Sequence, residues 1–162
     1  MKRILVLSDT HIPIAANDLP QVIYDEAHKA DMIIHAGDFI DISLLEKLRS
    51  LNKVVVAVYG NMDCIRIRKE LKAKEIFTVG KFRIGLIHGY GAHSELMETV
   101  KSEFKDVDCV IFGHSHVATN MKHAGVLYFN PGSATDKIFA SKNSYGMLEI
   151  TDKKIEGRIV EL

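Results

Sequence analysis

Five times along this chain a short apolar run stops at a cluster of glycine, acid, histidine or asparagine. The runs are residues 3–7, 32–36, 54–59, 82–87 and 108–112. The clusters that end them are Ser8-Asp9-Thr10-His11, Gly37-Asp38, Gly60-Asn61-Met62-Asp63, His88-Gly89 and Gly113-His114-Ser115-His116. Runs of this length, rich in Val and Ile and bounded by turn-forming residues, read as buried strands. Helical spacing fills the gaps between the first three. A helix through about residue 29 has Val22, Ile23, Ala27 and, at its end, Ala30 on one stripe, with Asn17 or Asp18 as the cap, and residues 41–51 carry Leu44, Leu45, Leu48 and Leu51. Strand–helix alternation of this kind builds a largely parallel sheet covered by helices. Such sheets bind ligands beyond the carboxyl ends of their strands, which is where each polar cluster falls.

The second half changes character. A helical connection over 65–73 leads to two runs, 76–79 and 82–87, split by Gly80-Lys81 as in a tight hairpin. A helix over 94–104, strands over 108–112 and 126–129, and a hairpin of 145–150 with 154–160 around Asp152-Lys153 complete the chain. So many strands predict a second, mixed sheet packed on the first, in one αββα sandwich of two mixed sheets flanked by helices. With 162 residues and no linker, repeat or low-complexity stretch, the expectation is a single domain over 1–162.

Charge and composition narrow the partners. Lys plus Arg (21) balances Asp plus Glu (21), so the chain lacks the broad basic footprint that binding long nucleic acid demands. No apolar run approaches the roughly 20 residues of a membrane span, and residues 4–7 are too short for a signal-peptide core. Cys64 and Cys109 lie far apart with no paired spacing, which argues against a disulfide framework or a thiolate metal site. The expected location is the cytoplasm. The oligomeric state is left open, a homo-oligomer included.

The strand ends together offer Asp9, His11, Asp38, Asn61, His88, His114 and His116: oxygen and imidazole donors without a thiolate. That donor set suits divalent Mn, Fe, Ni or Zn. In extended backbone, side chains two residues apart point the same way, so His114 and His116 are expected to converge on one spot. Each residue alone has a structural reading: Asp9 or Asp38 as a helix cap, Asn61 as a turn residue, His88 as a satisfied core histidine. Five coincidences in chain order outweigh those readings. His28, His35 and His123 are read as structural or surface residues, His123 in a loop, whereas His93 has a route to face the site.

The order Asp9-x-His11, Gly37-Asp38-x-x-Asp41, Gly60-Asn61, His88-Gly89, Gly113-His114-x-His116 resembles the calcineurin-like metallophosphoesterase superfamily. Within it the chain is similar to the short bacterial and archaeal phosphodiesterases of the YfcE type, over essentially its whole length and including Asn130-Pro131-Gly132-Ser133. The resemblance implies two divalent ions, manganese foremost, with nickel, iron or zinc as substitutes. It assigns Asp9, His11, Asp38 and His116 to the first ion and Asp38, Asn61, His88 and His114 to the second, with Asp38 bridging. Asp41 and Asp63 are then residues that orient ligands. The implied reaction is attack on a small or activated phosphodiester by a hydroxide bridging the two ions, with no covalent enzyme intermediate. Two ions bring four positive charges against two carboxylates and the hydroxide, and the net positive centre attracts an anionic diester.

The pattern departs from the superfamily twice. Many members read Gly-Asn-His at the third cluster, and that histidine protonates the leaving oxygen or steadies the phosphoryl group. Met62 stands there in this chain and can do neither, which puts phosphomonoesters and poorly activated leaving groups in doubt. Asp63 or His93 is the substitute acid to test. Relatives also often carry an arginine soon after Asn-Pro-Gly-Ser, where this chain has Ala134-Thr135-Asp136-Lys137. The rival reading is a non-catalytic, metal-binding interaction scaffold of the same fold, as in a retromer subunit; a nuclease on short oligonucleotides is a further alternative.

Overall fold

The computed structural model describes residues 1–51 and 54–162. In chain order its elements are β1 (Lys2–Leu7), α1 (Gln21–Lys29), β2 (Met32–His35), α2 (Ile42–Ser50), β3 (Val54–Ala57), α3 (Ile65–Glu70) and β4 (Lys74–Val79). There follow β5 (Phe82–Ile87), α4 (Leu96–Ser102), β6 (Cys109–Ile111), β7 (Thr119–His123), β8 (Val126–Asn130), β9 (Ser144–Ile150) and β10 (Ile155–Glu161).

Alternation along β1 sets up the layers. Leu5 and Leu7 point one way, into an apolar cluster with Ile23 and Ala27 of α1 and Leu45 and Leu48 of α2. Ile4 and Val6 point the other way, against Ile84, Leu86, Ile111 and Phe129 of the facing sheet. On the far side of that second sheet, Leu96 and Val100 of α4 pack with Val110 and Phe112. The layers therefore run helix, sheet, sheet, helix, as the sequence predicts. Strands buried on both faces read as unbroken apolar runs, and this is why the runs were so plain.

The assignment of strands to sheets differs from the sequence expectation. One sheet has the order β10-β9-β1-β2-β3 and the other β4-β5-β6-β8-β7. The carboxyl-terminal hairpin β9–β10 thus extends the first sheet, β9 lying antiparallel to β1, and does not belong to the second. Strand β7 is absent from the sequence reading, and His123 lies on it and not in a loop. Its sequence, Thr-Asn-Met-Lys-His, has no apolar alternation because it is a polar edge strand paired only with β8.

The helices are shorter than their periodicity suggests. Helix α1 begins after Pro20, which holds the cap position without a side-chain bond, so neither Asn17 nor Asp18 caps it. Asp18 instead accepts from Leu19 N and Tyr24 Oη and pairs with Lys47. Asp41 caps α2, its carboxylate accepting from Ser43 N at 2.9 Å. This is a local task, and it replaces the ligand-orienting role expected of Asp41. Helices α3 and α4 end short of 73 and 104 because the chain turns there into β4 and toward β6.

Parallel pairing aligns the carboxyl ends. Strands β1, β2 and β3 run parallel in one sheet, and β5, β6 and β8 in the other. All of the clusters singled out in the sequence leave these six strands at one end of the sandwich. Cross-strand bonds continue past the strands into the loops: Asp9 N to Gly37 O at 3.0 Å, His11 N to Asp38 O at 3.0 Å, and Gly113 N to His88 O at 3.0 Å.

Candidate metal centre

The loops that carry the seven donors are wound left-handed. Asp9, His11, Asp38, His114 and His116 have φ of 53°, 45°, 60°, 70° and 59°. A non-glycine residue in this region costs about 1–2 kcal/mol, so a cluster of five needs strong compensation from its surroundings. The sequence argument for His114 and His116 is corrected at this point. They do not alternate along an extended strand; each sits in a tight left-handed bend, with Ser115 N bonded to Gly113 O at 2.8 Å. The bend sends the two rings to different places.

One group gathers Asp9, His11 and His116. His116 Nε2 lies 3.3 Å from Asp9 Oδ1, and the His11 and His116 rings meet edge-on at 4.9 Å. The other gathers Asp38, Asn61, His88 and His114. Asn61 Oδ1 is 3.2 Å from His88 Nε2 and 3.2 Å from His114 Nδ1. Asp38 Oδ2 stands between the groups, 3.2 Å from His11 Nε2 and 3.4 Å from His88 Nε2. All seven donors lie at this one end of the sandwich; Asp38 stands between the two groups, and Asp9 Oδ1 also lies 3.8 Å from His88 Nε2.

The outer face of three rings is already committed. His88 Nδ1 donates to Ala36 O at 2.8 Å, His114 Nε2 to Gly91 O at 2.9 Å, and His116 Nδ1 to the carboxylate of Asp136. A neutral imidazole that donates on one side presents a lone pair on the other. The inward nitrogens of these rings therefore face oxygens that also carry lone pairs. His11 Nε2 is buried and has no hydrogen-bond partner among the described residues. Such a set of opposed acceptors is stable only around positive charge.

In the protein alone, protons supply that charge. Burial disfavours the charged form of His116, but Asp9 and then Asp136 outweigh it and raise the ring to about 9. His88 is likewise raised: burial lowers it, and hydrogen bonding to Asp38 with the charge of Asp9 more than compensates. Burial would raise Asp9 and Asp38, yet the histidines beside them hold both below the usual carboxylate range. Divalent cations fit the same cavity of charge, with nitrogen and oxygen donors suited to first-row metals.

Glycines let the backbones approach. A Cβ on Gly60 would fall 2.1 Å from Asp38 Oδ1, and one on Gly113 1.9 Å from Ser8 Oγ. Asp38 Oδ1 accepts from Met62 N at 2.8 Å, and Asp9 Oδ2 from Ser8 Oγ at 2.7 Å and His114 N at 3.0 Å. The third-cluster loop is thereby locked to Asp38 of the second cluster, and the fifth-cluster loop to Asp9 of the first.

Asp63 faces backbone. Its two oxygens accept from Asp38 N at 3.0 Å, Gly60 N at 2.7 Å and Ile40 N at 2.8 Å. Burial raises its pKa while those N–H groups oppose the rise. Both oxygens of Asp63 are thus occupied by the backbone of the loops that carry Asp38 and Asn61. His93 is exposed and lies edge-on to His114, 5.3 Å between ring centres. His35 is structural: buried, stacked 3.5 Å from Phe39, donating to Thr10 Oγ1 and accepting from Gly37 N, with burial pushing its pKa down to about 3.

The segment after Asn130 was underread. Asn130 Nδ2 donates to Gly113 O and Ser115 Oγ, Ser133 Oγ to Asp9 O, and Thr135 Oγ1 to Thr10 O. It buttresses two of the ligand loops. Asp136, the acid that holds His116, was visible in the sequence only as the absence of an arginine. The one cue was its position directly after Asn-Pro-Gly-Ser.

Residues 1–153 match the calcineurin-like phosphoesterase superfamily domain. The chain belongs to that superfamily. A probable metallophosphoesterase of Methanocaldococcus jannaschii is 38% identical over 133 residues, 80% of this chain and 67% of that protein. A phosphodiesterase of the same organism is 28% identical over 147 residues, 80% of this chain and 82% of the relative. Among solved structures, wild-type Vps29 of Entamoeba histolytica, complexed with zinc, superposes with a TM-score of 0.76 at 26% identity, covering 98% of each chain. The superfamily fold explains why donors from both sheets meet at one end: each calcineurin-like loop leaves a parallel strand at its carboxyl edge. Among the described residues no helix is long and apolar enough to cross a membrane.

Proposed function

We propose that this protein is a phosphodiesterase dependent on two divalent ions, acting on a small or activated diester. The observation that carries the reading is the inward-facing set of imidazole nitrogens, opposed to the oxygens of Asp9, Asp38 and Asn61, with three of the rings committed on their outer side to a backbone carbonyl or to Asp136. Asp9, His11 and His116 would hold one ion and Asn61, His88 and His114 the other, with Asp38 available to both. The chemistry such ions would supply, when bound by these residues, is Lewis-acid activation at the phosphoryl group. Manganese suits these donors, and zinc, found with the Entamoeba Vps29, is a second choice.

The chain's own residues do the rest. The three backbone N–H bonds to Asp63 and the Met62 N–H on Asp38 fix the shared carboxylate before substrate arrives. Two carboxylates among seven donors leave the loaded centre positive, which favours an anionic diester. Met62 places an exposed thioether at the site, with no proton to give a leaving oxygen. His93 is the proton donor in this reading, since its exposed imidazole lies against His114. The reading leaves long nucleic acid and membranes outside the partners, in line with the balanced charge.

A second reading is a metal-binding interaction scaffold. It is favoured by the exposed apolar side chains of Val117, Ile138 and Phe139 beside His116, and by the likeness to Vps29. Calorimetric titration with manganese tests the centre itself. Two ions per chain are expected, with His116→Ala weakening one and His114→Ala the other. A chain that takes up no manganese contradicts both readings.

A further inference from the structure

A cavity of about 420 Å³ opens directly beside the centre, sharing Asn61 and His88 with it. Its size falls in the range of small-molecule sites. Two aromatic side chains, Tyr59 and Tyr90, line it, together with Ile87 and Ala73. Three charged side chains also contribute, and each is held in place. Arg68 donates through Nε to Asp63 O at 2.9 Å and through Nη2 to Asn61 O at 2.7 Å, and its guanidinium lies 5.3 Å from the Tyr59 ring centre. Glu103 accepts from Tyr90 Oη and Lys74 Nζ, each at 2.7 Å. The charges of Lys74 and Glu103 are thereby spent on each other, and the Tyr90 ring is anchored by its hydroxyl. Arg68 keeps its Nη1 without a hydrogen bond among the described residues.

From this arrangement we infer that the cavity is a subsite for one ester substituent of the substrate, a planar aromatic group of nucleobase size. The inference rests on the phosphodiesterase reading for the position of the phosphorus and deepens it by naming a substrate class. A phosphoryl group at Asn61 and His88 directs one of its two substituents into the cavity, because those residues form the shared wall. Tyrosine faces and aliphatic side chains select a flat ring over a flexible polyol. The unused N–H of Arg68 offers a hydrogen bond to an acceptor on the edge of that ring.

Equilibrium binding tests this without catalysis. With manganese present, adenosine 5′-monophosphate, phenyl phosphate and ribose 5-phosphate are titrated against wild type, Ala73→Trp and Tyr90→Ala, following the heat of binding. Ala73 is exposed in the bend before β4, and Tyr90 is 56% exposed, so neither change touches the core. The nucleotide is expected to bind about tenfold more tightly than ribose 5-phosphate, a stacking-sized gain. Ala73→Trp should erase that gain and Tyr90→Ala reduce it, with ribose 5-phosphate unchanged. An equal gain for phenyl phosphate identifies ring stacking as the selected feature; a gain for the nucleotide alone identifies the base edge. Equal affinity for nucleotide and sugar phosphate in wild type, or a gain that survives both substitutions, overturns the subsite. Failure of the metal-centre reading looks different: ribose 5-phosphate is then indifferent to manganese, while adenosine alone still gives a heat of binding with wild type and not with Ala73→Trp.

Discussion

His11 Nε2 lies 3.2 Å from Asp38 Oδ2, yet no hydrogen bond joins them and the nitrogen is buried without a hydrogen-bond partner among the described residues. A buried imidazole nitrogen in that position costs about 1–3 kcal/mol unless a cation stands between it and the carboxylate. Asp38 is therefore held in a conformation that makes sense around bound ions, and the predictions below follow from that geometry.

The carboxylate of Asp136 takes the outer N–H of His116, which fixes the ring with Nε2 toward Asp9. Asp136→Asn keeps the size of the side chain and removes its charge. Affinity for one of the two ions should fall about 10–100-fold while the other is nearly unaffected. Manganese titration followed by calorimetry resolves the two. Equal weakening of both would show that Asp136 acts on the whole loop and not through His116.

Removing the ions exposes a pH dependence with a defined sign. His116 is raised from 6.5 to about 9 in the metal-free protein, burial being outweighed by Asp9 and Asp136. A raised folded-state value gives stability that is complete below 6.5 and lost as pH rises through 9. His88 contributes in the same direction. His35, lowered to about 3, acts only below 6.5, and the lowered Asp9, Asp38 and Asp136 act at acid pH, so none of them opposes the trend in this window. The Tm of the metal-free protein should fall between pH 6.5 and 9. Added manganese must displace those protons, so its stabilising shift should grow over the same interval. Thermal denaturation with and without chelator reads both, and a manganese shift that shrinks with pH would contradict the assignment.

Gly60 meets the shared carboxylate more closely than any side chain would permit, with its Cβ position 2.1 Å from Asp38 Oδ1. Gly60→Ala should cost about 1–3 kcal/mol through forced displacement. Because the displaced group is Asp38, manganese affinity should fall at both sites. Denaturant unfolding of the metal-free protein, paired with titration, separates the packing effect from the ligand effect. Unchanged metal affinity would mean that Asp38 is free to move without consequence.

The sequence spoke clearly where one residue had one strong reason to be present. Ile4 to Leu7, Ile33, Ile34 and Val110 to Phe112 are buried on both faces, and their uninterrupted apolarity gave the parallel strands away. The seven donors were legible because each ends such a strand. Other features depend on partners remote in the chain. The polar β7 exists as a strand only because β8 pairs with it, and β9 joins the first sheet through its register with β1. Asp136 reaches His116 across 20 positions, and the acceptor role of Asp63 depends on three N–H groups brought to it by folding. The left-handed bends at His114 and His116 carried no signature either, since histidine is not a turn-specific residue.

The central claim is that Asp38, shared by the two groups of donors, makes this end of the sandwich a metal-dependent diesterase. The most direct measurement is hydrolysis of bis(p-nitrophenyl) phosphate by wild type and Asp38→Asn, each with manganese and with chelator, and with p-nitrophenyl phosphate as the monoester control. Wild type should cleave the diester in preference to the monoester and fall silent with chelator. Asp38→Asn should lose at least about a hundredfold in rate, since even indirect ligand partners are worth that much. Undiminished hydrolysis by Asp38→Asn, or hydrolysis indifferent to chelator, would contradict it.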